Sequence, residues 1–405
     1  MTATDDPKIS VIVASHQRPR WLHRCLTALG QLDYPAFEIV IAADTPGLAA
    51  IADHPAVSHI KTVNASEPNI AQTRNLGLGV AAGDIVAFID DDAVPEPMWL
   101  RFHAEALKAT NAAASVGYVR GRNGISFQSR AESVDGEAET HREQSAAISP
   151  FVPDLATGRA VKLVGTNFAI RREVLQDLGG FDTGYRFYLD DTDLSLRLAA
   201  AGYQAAVAPL AEVHHGSAPS LRRTTARRPL DLFDIGRSTA YFLRQHSNPS
   251  PDLYDRMYRR ERTRLLRHLV GGTCEPRDIA RLLATLKDGW NVGLMFKRTP
   301  DTPITAPNAA FCRFPTLASG HTVFHQRTLS PGDPPPANRR TSAFRFSRTT
   351  LRHQVRFVEP GQWIQTGGQF GPSLRDGPVF RWCRFADRCE EETRRVAMQR
   401  GIGEN

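Results

Sequence analysis

Three consecutive aspartates, Asp90, Asp91 and Asp92, follow an apolar segment in the sequence AFIDDDAVPEPMWL. Adjacent carboxylates repel one another, so the triplet costs stability unless water, hydrogen bonds or a cation compensates the charge. A solvated turn that caps the next helix is one interpretation. The preceding DIVAFI, however, is typical of a strand buried on both faces, and ligands of parallel sheets collect where such strands end. The triplet therefore also predicts a divalent cation, and oxygen ligands favour Mg²⁺ or Mn²⁺ over zinc.

A second charged segment, DDTDLSLRLAAAGYQAAVAPLAEVHHGS, begins with Asp190 and Asp191. Each of its charged residues has a structural explanation. Either aspartate could cap the helix that follows, and Asp193 is favourable in the first helical turn. A histidine at a strand end, as in EVHHGS, is more often a surface or core residue than a ligand. The combination with the first carboxylate cluster favours a functional site.

The elements that would position these clusters alternate between strand-like and helix-like segments. The strand ISVIVAS precedes PRWLHRCLTALGQL, in which Leu22, Cys25, Leu26 and Leu29 recur at helical spacing. FEIVIAAD and VSHIKTV are two further strands. NIAQTRNLGLGVAAG, opened by the capping residue Asn69, is a helix before the strand DIVAFI. This order predicts a doubly wound α/β sheet with its site at the strand ends.

Composition limits the classes of protein. The 405 residues are 41% hydrophobic and 23% charged, which is ordinary for a globular chain. No apolar run approaches the roughly 20 residues of a membrane span, and the first ten residues do not resemble a secretion signal, so we expect a cytoplasmic protein. The five cysteines are scattered and form no zinc spacing, which predicts reduced thiols.

The net charge of +7 permits an anionic partner. Basic residues are densest after residue 220, as in SLRRTTARRPL and DRMYRRERTRLLRHL. Since no nucleic-acid-binding module accompanies them, we expect no nucleic acid as partner and favour peripheral contact with the inner face of the cell membrane. An ordinary solvated surface is at least as good an explanation.

Four motifs together resemble the family 2 glycosyltransferases: ISVIVASHQRPRWLHRCLTAL, NIAQTRNLGLGVAAGDIVAFIDDDAVPEPMWL, GTNFAIRREVLQDLGGFD and DDTDLSLRLAAAGYQ. The resemblance covers roughly residues 8–217. It implies a GT-A fold, which is Rossmann-like with a mostly parallel central sheet flanked by helices, here with a helical and irregular C-terminal extension. We expect a catalytic domain over 1–220, a basic helical extension over 221–300, and a region of unknown role over 301–405, for which a small accessory subdomain is one interpretation. Residues 330–340, SPGDPPPANRR, read as a linker or exposed loop.

The resemblance also implies an activity. Members of the family move a sugar from a nucleotide-diphosphate sugar to a hydroxyl of a saccharide or lipid-linked acceptor, with inversion, in the synthesis of surface polysaccharides and glycoconjugates. By the same resemblance Asp92 binds the metal together with His214, and the neighbouring His215 is an equally plausible ligand. Asp191 is the base that accepts the proton of the acceptor hydroxyl, and Asp190 orients it or caps the helix. The expected donor-binding residues are Ala14, Ser15, Arg18, Asp44, Arg74, Asn75, Asp90 and Asp91.

The sequence departs from the family pattern at one point. Many relatives have two aspartates and a glycine where this chain has ADTP, so Asp44 is the only acidic candidate for the uracil ring, and a UDP-sugar is a preference. The aromatic residues Trp99, Tyr185, Phe187 and Tyr188 could stack on sugars or belong to the core. Two alternatives stay open, an inactive scaffold of the same fold and a sugar nucleotidyltransferase. The intact carboxylate clusters argue against the first, and the lack of a glycine-rich loop after the first strand argues against the second.

Overall fold

The computed structural model describes residues 6–143, 145–247, 250, 252–297, 304, 309–327 and 338–403. Most of the predicted linker, residues 330–337, lies outside this part of the chain. The strands of the described residues are β1 (Ile9–Ser15), β2 (Phe37–Ala43), β3 (Ile60–Asn64), β4 (Ile85–Asp90), β5 (Ala93–Pro95), β6 (Ala114–Arg120), β7 (Phe127–Ser129), β8 (Glu132–Asp135), β9 (Thr140–Arg142), β10 (Arg159–Val161), β11 (Phe168–Arg171), β12 (Ala205–His215), β13 (His321–Gln326), β14 (Arg340–Ser347), β15 (Gln354–Val358) and β16 (Gln362–Gly368).

The helices agree with the helical spacing of the sequence in the first half of the chain. They are α1 (Pro19–Leu29), α2 (Thr45–Ala49), α3 (Ile70–Leu78), α4 (Trp99–Thr110), α5 (Arg172–Asp177), α6 (Asp190–Ala200), α7 (Phe233–His246), α8 (Asp252–Val270), α9 (Pro276–Met295) and α10 (Phe385–Arg400). Asn69 caps α3 by accepting a hydrogen bond from the amide of Gln72, as its position predicted. The helix ends at Leu78, five residues before the glycine at which the sequence placed its end.

The central sheet is the layer that carries the site. Its strand order is β3-β2-β1-β4-β11-β6-β12-β5, with β7 paired to β6. Within the described residues, six of these nine strands run in one direction, namely β1, β2, β3, β4, β6 and β12. β11 lies antiparallel to both of its neighbours, β4 and β6, so β6 has the same direction as β4. β5, β7 and β11 run the opposite way. The sheet is therefore mixed but mostly parallel, and the carboxyl ends of β1, β4 and β12 meet at one edge.

Apolar side chains cover both faces of this sheet. One core packs α1 and α4 against it and includes Leu22, Trp99 and Val213. The other lies beneath α3, α5 and α6 and includes Phe88 and Phe168. Burial on both faces explains why β1, β2 and β4 read as continuous runs of Val, Ile, Phe and Ala rather than as alternating patterns.

The region after the sheet has two parts. Helices α7, α8 and α9 pack around an apolar cluster that includes Leu232, Met257 and Leu286. Beyond them β13, β14 and β16 pair in parallel, β15 pairs antiparallel to β16, and α10 packs on this small sheet. The sequence predicted an irregular part in the C-terminal extension, whereas the structure has a strand here, β14, RTSAFRFS, whose first seven residues are buried. Arg340 at its start donates to the carbonyl of Gln31 and to Asp33.

A buried ion pair joins this C-terminal sheet and helix to the central sheet. Arg400, at the end of α10, donates to Glu96 at 2.9 and 3.2 Å and to the hydroxyl of Ser342, and its guanidinium lies 4.6 Å from the centre of the Trp363 ring. Only 1% of the arginine side chain and 3% of the glutamate side chain are exposed. The two parts of the chain are thus fastened by a contact that water does not screen.

We expect Arg400→Met to lower the free energy of unfolding by about 3–5 kcal/mol, because it leaves the Glu96 carboxylate buried with only His214 as partner. Arg394→Met on the same helix is the matched control. Its pair with Glu390 is exposed, so its removal should change stability by at most about 1 kcal/mol. Urea titration of both variants measures the difference. Equal losses in the free energy of unfolding would show that the buried pair contributes no more to stability than the exposed pair.

Candidate active site

A cavity of about 1000 Å³ opens at the carboxyl ends of β1, β4 and β12. Of the residues that the sequence predicted for the site, Ala14, Ser15, Arg18, Arg74, Asp90, Asp92, Asp190 and Asp191 line it. The loop that follows β12 closes one side with Leu221, Arg222 and Arg223. The two carboxylate clusters, separated by about a hundred residues in the sequence, thus face the same space.

The three aspartates of the triplet have different surroundings. Asp90 is the last residue of β4 and faces the cavity, with its side chain 26% exposed. Asp91 is fully buried, where it accepts from the hydroxyl of Ser15 at 2.6 Å and pairs with Arg18 at 2.6 Å. Burial raises the pKa of Asp91 to about 7 against the opposing effect of Arg18. Asp91 does not line the cavity, and its carboxylate instead holds Ser15 and Arg18, which do.

Asp92 is the most heavily compensated of the three. Its carboxylate lies 3.3 Å from Arg18, 3.2 Å from His215 and 3.4 Å from Arg223, and it accepts from the amide of Ala218 at 2.6 Å. Burial alone would raise its pKa, but the imidazole, the guanidinium and the amide outweigh burial and lower the pKa well below the usual range. Asp92 is thus ionised, and cationic groups replace the water that an exposed triplet would use.

The two adjacent histidines of EVHHGS have different surroundings. His214 lies outside the cavity lining, donates from Nε2 to the Glu96 carboxylate at 2.8 Å, and packs its ring on Trp363. His215 lines the cavity and approaches Asp92. Burial lowers the pKa of His215, but the Asp92 carboxylate outweighs this effect and raises it. Of the two histidines that the sequence offered, His215 is therefore the one that lies beside Asp90 and Asp92, and His214 does not line the cavity.

These residues fit a divalent cation. One ligand atom each of Asp90, Asp92 and His215 lies within 4.8 Å of the others, so a single ion could contact all three. Two carboxylates and an imidazole suit Mn²⁺, and the carboxylates suit Mg²⁺. An ion would compete with Arg18 and Arg223 for Asp92, and with the proton of His215.

The second carboxylate pair stands at the start of α6. Asp191 accepts from the amide of Gly165 at 2.8 Å, and Asp190 is buried against Arg74. The two residues before them, Tyr188 and Leu189, have φ angles of 74° and 69°, a left-handed conformation that costs a non-glycine residue of order 1–3 kcal/mol. This turn aims α6 so that its first residues face the cavity, where the helix N-terminus favours negative charge.

Arg74 connects the two carboxylate clusters. Its guanidinium pairs with Asp190, lies 3.2 Å from Asp90 and donates to the carbonyl of Gly165 at 3.0 Å. A Cβ atom on Gly165 would lie only 2.5 Å from this guanidinium, so a larger residue there would displace Arg74 from its present position. Burial raises the pKa of Asp190 to about 6, although Arg74 opposes the rise.

We expect activity to fall as the pH drops through about 6, because protonation of Asp190 breaks its pair with Arg74. Replacing Arg74 by methionine removes the group that lowers this pKa, so the acid limb of the kcat/KM profile should move to higher pH. Initial rates of the wild type and the variant between pH 5 and 8 measure the acid limb of each profile. An unchanged midpoint in the variant would show that Arg74 has only a packing role.

Two other expected donor-binding residues lie outside the cavity lining. Asp44 caps α2, where it accepts from the amides of Gly47 and Gln17. Asn75 uses both ends of its amide on the backbone of Phe181, at 2.7 and 2.9 Å. These contacts assign Asn75 to holding the loop that follows α5, and they leave Asp44 behind the cavity wall. Neither side chain lines the cavity in which a donor would bind.

The aromatic residues divide between core and site. Trp99 and Tyr185 are fully buried, so they belong to the core. Phe187 and Tyr188 line the cavity, and Arg222 lies 4.5 Å from the centre of the Phe187 ring. Sequence reasoning counted Arg222 and Arg223 only as basic residues of the C-terminal half. Their position directly after HHGS, a strand end at the site, was the feature that could have identified them.

Comparisons with known proteins agree with this geometry. The family model described as "Glycosyltransferase like family 2" matches residues 7–229. A probable glycosyltransferase of Bacillus subtilis, YdaM, is 27% identical over 217 residues, which cover 51% of this chain and 50% of that protein. The O-antigen biosynthesis protein RfbC of Myxococcus xanthus is 25% identical over 232 residues, covering 52% and 18%. The chain thus spans half or less of the length of these relatives.

Among solved structures, GalNAc-T7 with UDP, GalNAc and Mn²⁺ superposes with a TM-score of 0.42 at 15% identity, covering 52% of this chain and 44% of that one. The family is shown by the sequence match, which extends over more than half of the 405 residues. It takes in both carboxylate clusters and the loop that carries Arg222 and Arg223. The chain therefore belongs to the family 2 glycosyltransferases and has their GT-A fold.

Proposed function

We propose that this protein transfers a sugar from a nucleotide-diphosphate sugar, with UDP-sugars favoured, to a hydroxyl of a saccharide or lipid-linked acceptor, with inversion at the anomeric carbon. The observation that supports this most is the single cavity in which the metal-type group Asp90, Asp92 and His215 faces the acid pair Asp190 and Asp191. The name of the relative RfbC supports a role in surface polysaccharide synthesis.

The donor half of the cavity has the charge that a diphosphate requires. Arg18 and Arg223 line it with side chains 21% and 28% exposed, and each already pairs with the Asp92 carboxylate. Guanidinium groups bind phosphate oxygens in a bidentate manner, so these two can turn from the carboxylate to the diphosphate. A divalent cation held by Asp90, Asp92 and His215 would supply Lewis-acid stabilisation of the charge on the leaving group.

The acceptor half supplies the base. A sugar hydroxyl is too weakly acidic to attack unaided, and Asp191 is the partly exposed carboxylate of the pair. The Asp191 oxygen takes the hydroxyl proton as the acceptor oxygen bonds to the anomeric carbon, and the bond from that carbon to the diphosphate breaks. The amide of Gly165 fixes the carboxylate, and Arg74 fixes its neighbour Asp190. One base and one displacement give inversion.

The arrangement of the chain is proposed on the same grounds. Residues 1–220 contain the cavity apart from a few contributors, among them Arg260 of α8. Residues 221–300 and 301–405 would serve as extensions that support and locate this domain. No helix of the described residues is long and apolar enough to span a membrane. We propose cytoplasmic action at the inner face of the cell membrane.

Thermal unfolding in the presence of a nucleotide panel tests the proposal. Ligands that bind the native state raise the melting temperature, and a ligand at about 100 times its Kd stabilises by about 2.7 kcal/mol. We expect UDP or a UDP-sugar with Mn²⁺ to raise the melting temperature, and excess chelator to remove the effect. No stabilisation by any nucleotide would favour the inactive scaffold. Stabilisation by a nucleoside triphosphate with release of pyrophosphate from a sugar phosphate would favour the nucleotidyltransferase.

A further inference from the structure

Large apolar side chains project into solvent from the C-terminal sheet. Val379, Phe380 and Trp382 lie in the extended segment between β16 and α10, and Trp382 is 77% exposed. Leu374 lies earlier in the same segment and is 51% exposed, and Leu351, in the loop between β14 and β15, is 61% exposed. Single exposed apolar residues are ordinary, but a group of five on adjacent loops indicates an interaction surface. We call the exposed residues of 348–352 and 374–384 the Trp382 surface.

The segments of this surface are held together. The Phe370 ring stacks on Trp382 at 5.1 Å and packs against Phe380 at 5.8 Å. The amide of Phe370 donates to the carbonyl of Thr349, and its carbonyl accepts from the amide of Arg381. Beneath them Arg388, 3% exposed, donates to the carbonyl of Gly371. Ring packing on Phe370 and the hydrogen bonds beneath it therefore hold the aromatic side chains of this surface in place.

Positive charge predominates in the segments that carry these rings. From residue 348 to residue 384 the chain has six arginines against two acidic residues, Glu359 and Asp376. Arg381 pairs with Glu391. Within the described ranges, the exposed Arg348, Arg352, Arg375 and Arg384 make no ion pair. The surface therefore combines exposed aromatic rings with four exposed arginines that make no ion pair among the described residues, against one carboxylate of its own, Asp376.

The basic helix α8, which the sequence favoured for membrane contact, differs in its exposed apolar area. Three of its six arginines, Arg256, Arg260 and Arg264, pair with glutamates, and the other three are exposed without an ion pair among the described residues. Its large exposed apolar residue is Val270 at the C-terminal end. The exposed apolar side chains, more than the unpaired charge, therefore distinguish the Trp382 surface from α8.

We propose that the Trp382 surface docks the protein on an anionic lipid bilayer, with Phe380 and Trp382 entering the headgroup region and the arginines contacting lipid phosphates. The indole of Trp382 has one polar edge and favours that region, Phe380 adds apolar area, and anionic lipids attract clustered arginines. The proposal deepens the membrane contact in the proposed function by assigning its surface. It concerns binding alone, so it stands or falls separately from sugar transfer.

Co-sedimentation with vesicles tests this surface. The full chain should bind vesicles of phosphatidylcholine with 30–40% phosphatidylglycerol, roughly, and not vesicles of pure phosphatidylcholine, since each arginine near an anionic surface contributes about fivefold to binding. The double variant Phe380→Ser, Trp382→Ser should bind at least about tenfold more weakly, because two aromatic side chains no longer leave water. Raising the salt from about 0.05 to 0.5 M should also release the wild-type protein.

The matched control replaces exposed apolar residues elsewhere, Val270→Ser and Met295→Ser, and should bind as the wild type does. All variants are compared by thermal unfolding and by nucleotide stabilisation, so that misfolding and failure of the proposed function are each seen separately. Brominated phospholipid should quench wild-type tryptophan fluorescence, and Trp382→Phe should remove that quenching.

Equal binding of wild type and double variant would overturn the proposal, as would equal binding to neutral and anionic vesicles. Loss of a dimer in the double variant, without any vesicle binding by the wild type, would assign the surface to a second copy of the chain. Retention on a polysaccharide matrix, again without vesicle binding, would assign it to a glycan.

Discussion

Asp191→Asn is expected to lower turnover by about 10²- to 10⁴-fold, the usual contribution of a positioned general base. An amide keeps the shape of the side chain and can still accept the hydrogen bond from Gly165, but it cannot take the proton of an acceptor hydroxyl. Folding and nucleotide binding should therefore survive. Steady-state rates and a UDP titration on the same preparation separate the two effects.

Asp190→Asn is the control for this assignment. It removes the charge that pairs with Arg74 and leaves the neighbouring carboxylate in place. We expect a smaller loss of turnover together with reduced thermal stability, because a buried arginine loses one of its two carboxylate partners. If Asp191→Asn worked at nearly the original rate while Asp190→Asn was inactive, the base would have to be moved to Asp190.

The second large effect is expected from the metal-type group. Chelator should abolish transfer, and Mn²⁺ or Mg²⁺ should restore it. Even the loss of an outer partner of a metal ligand costs about 10- to 100-fold in metal affinity, so Asp92→Asn should weaken Mn²⁺-dependent UDP binding by at least about 100-fold. Full activity with excess chelator would contradict the metal site.

The two adjacent histidines provide a matched pair for the same question. His215→Gln should reduce Mn²⁺ affinity, because the imidazole of His215 faces Asp90 and Asp92. His214→Gln should leave Mn²⁺ affinity unchanged and lower thermal stability, because it disturbs the buried contacts with Glu96 and Trp363. Calorimetric titration of Mn²⁺ and urea unfolding measure the two properties, and the opposite pattern would restore His214 as the ligand.

The sequence indicated most elements of the first half and the position of the triplet, because both depend on local patterns, although α3 ends before Gly83 and β3 begins only at Ile60 of VSHIKTV. Buried parallel strands are apolar throughout, and Asn69 is a cap whose effect reaches only three residues. It could not place His214 and His215, because the pairing of β12 with β6 shifts register between Ala208 and Glu212. Such an irregularity changes which residues face each side of a strand, and alternation no longer predicts it.

Contacts between distant segments were also beyond the sequence. Arg74 contacts Asp190, which is 116 residues away in the sequence. The contact depends on the left-handed turn at Tyr188 and Leu189, and the sequence has no glycine there to indicate such a turn. The burial of Asp91 likewise follows from the way Arg18 folds under the end of β4. Residue types identified the chemistry, whereas the three-dimensional arrangement decided which residue performs which part of it.

The configuration of the released sugar tests the proposed single displacement most directly. Water can replace the acceptor, so slow hydrolysis of a panel of UDP-α-sugars with Mn²⁺ can be followed by proton NMR before the product anomers equilibrate. The arrangement predicts that the β-anomer forms first and that Asp191→Asn abolishes its release. Initial formation of the α-anomer would require a second displacement and a nucleophile, and would contradict the assignment of Asp191 as the base of an inverting transfer.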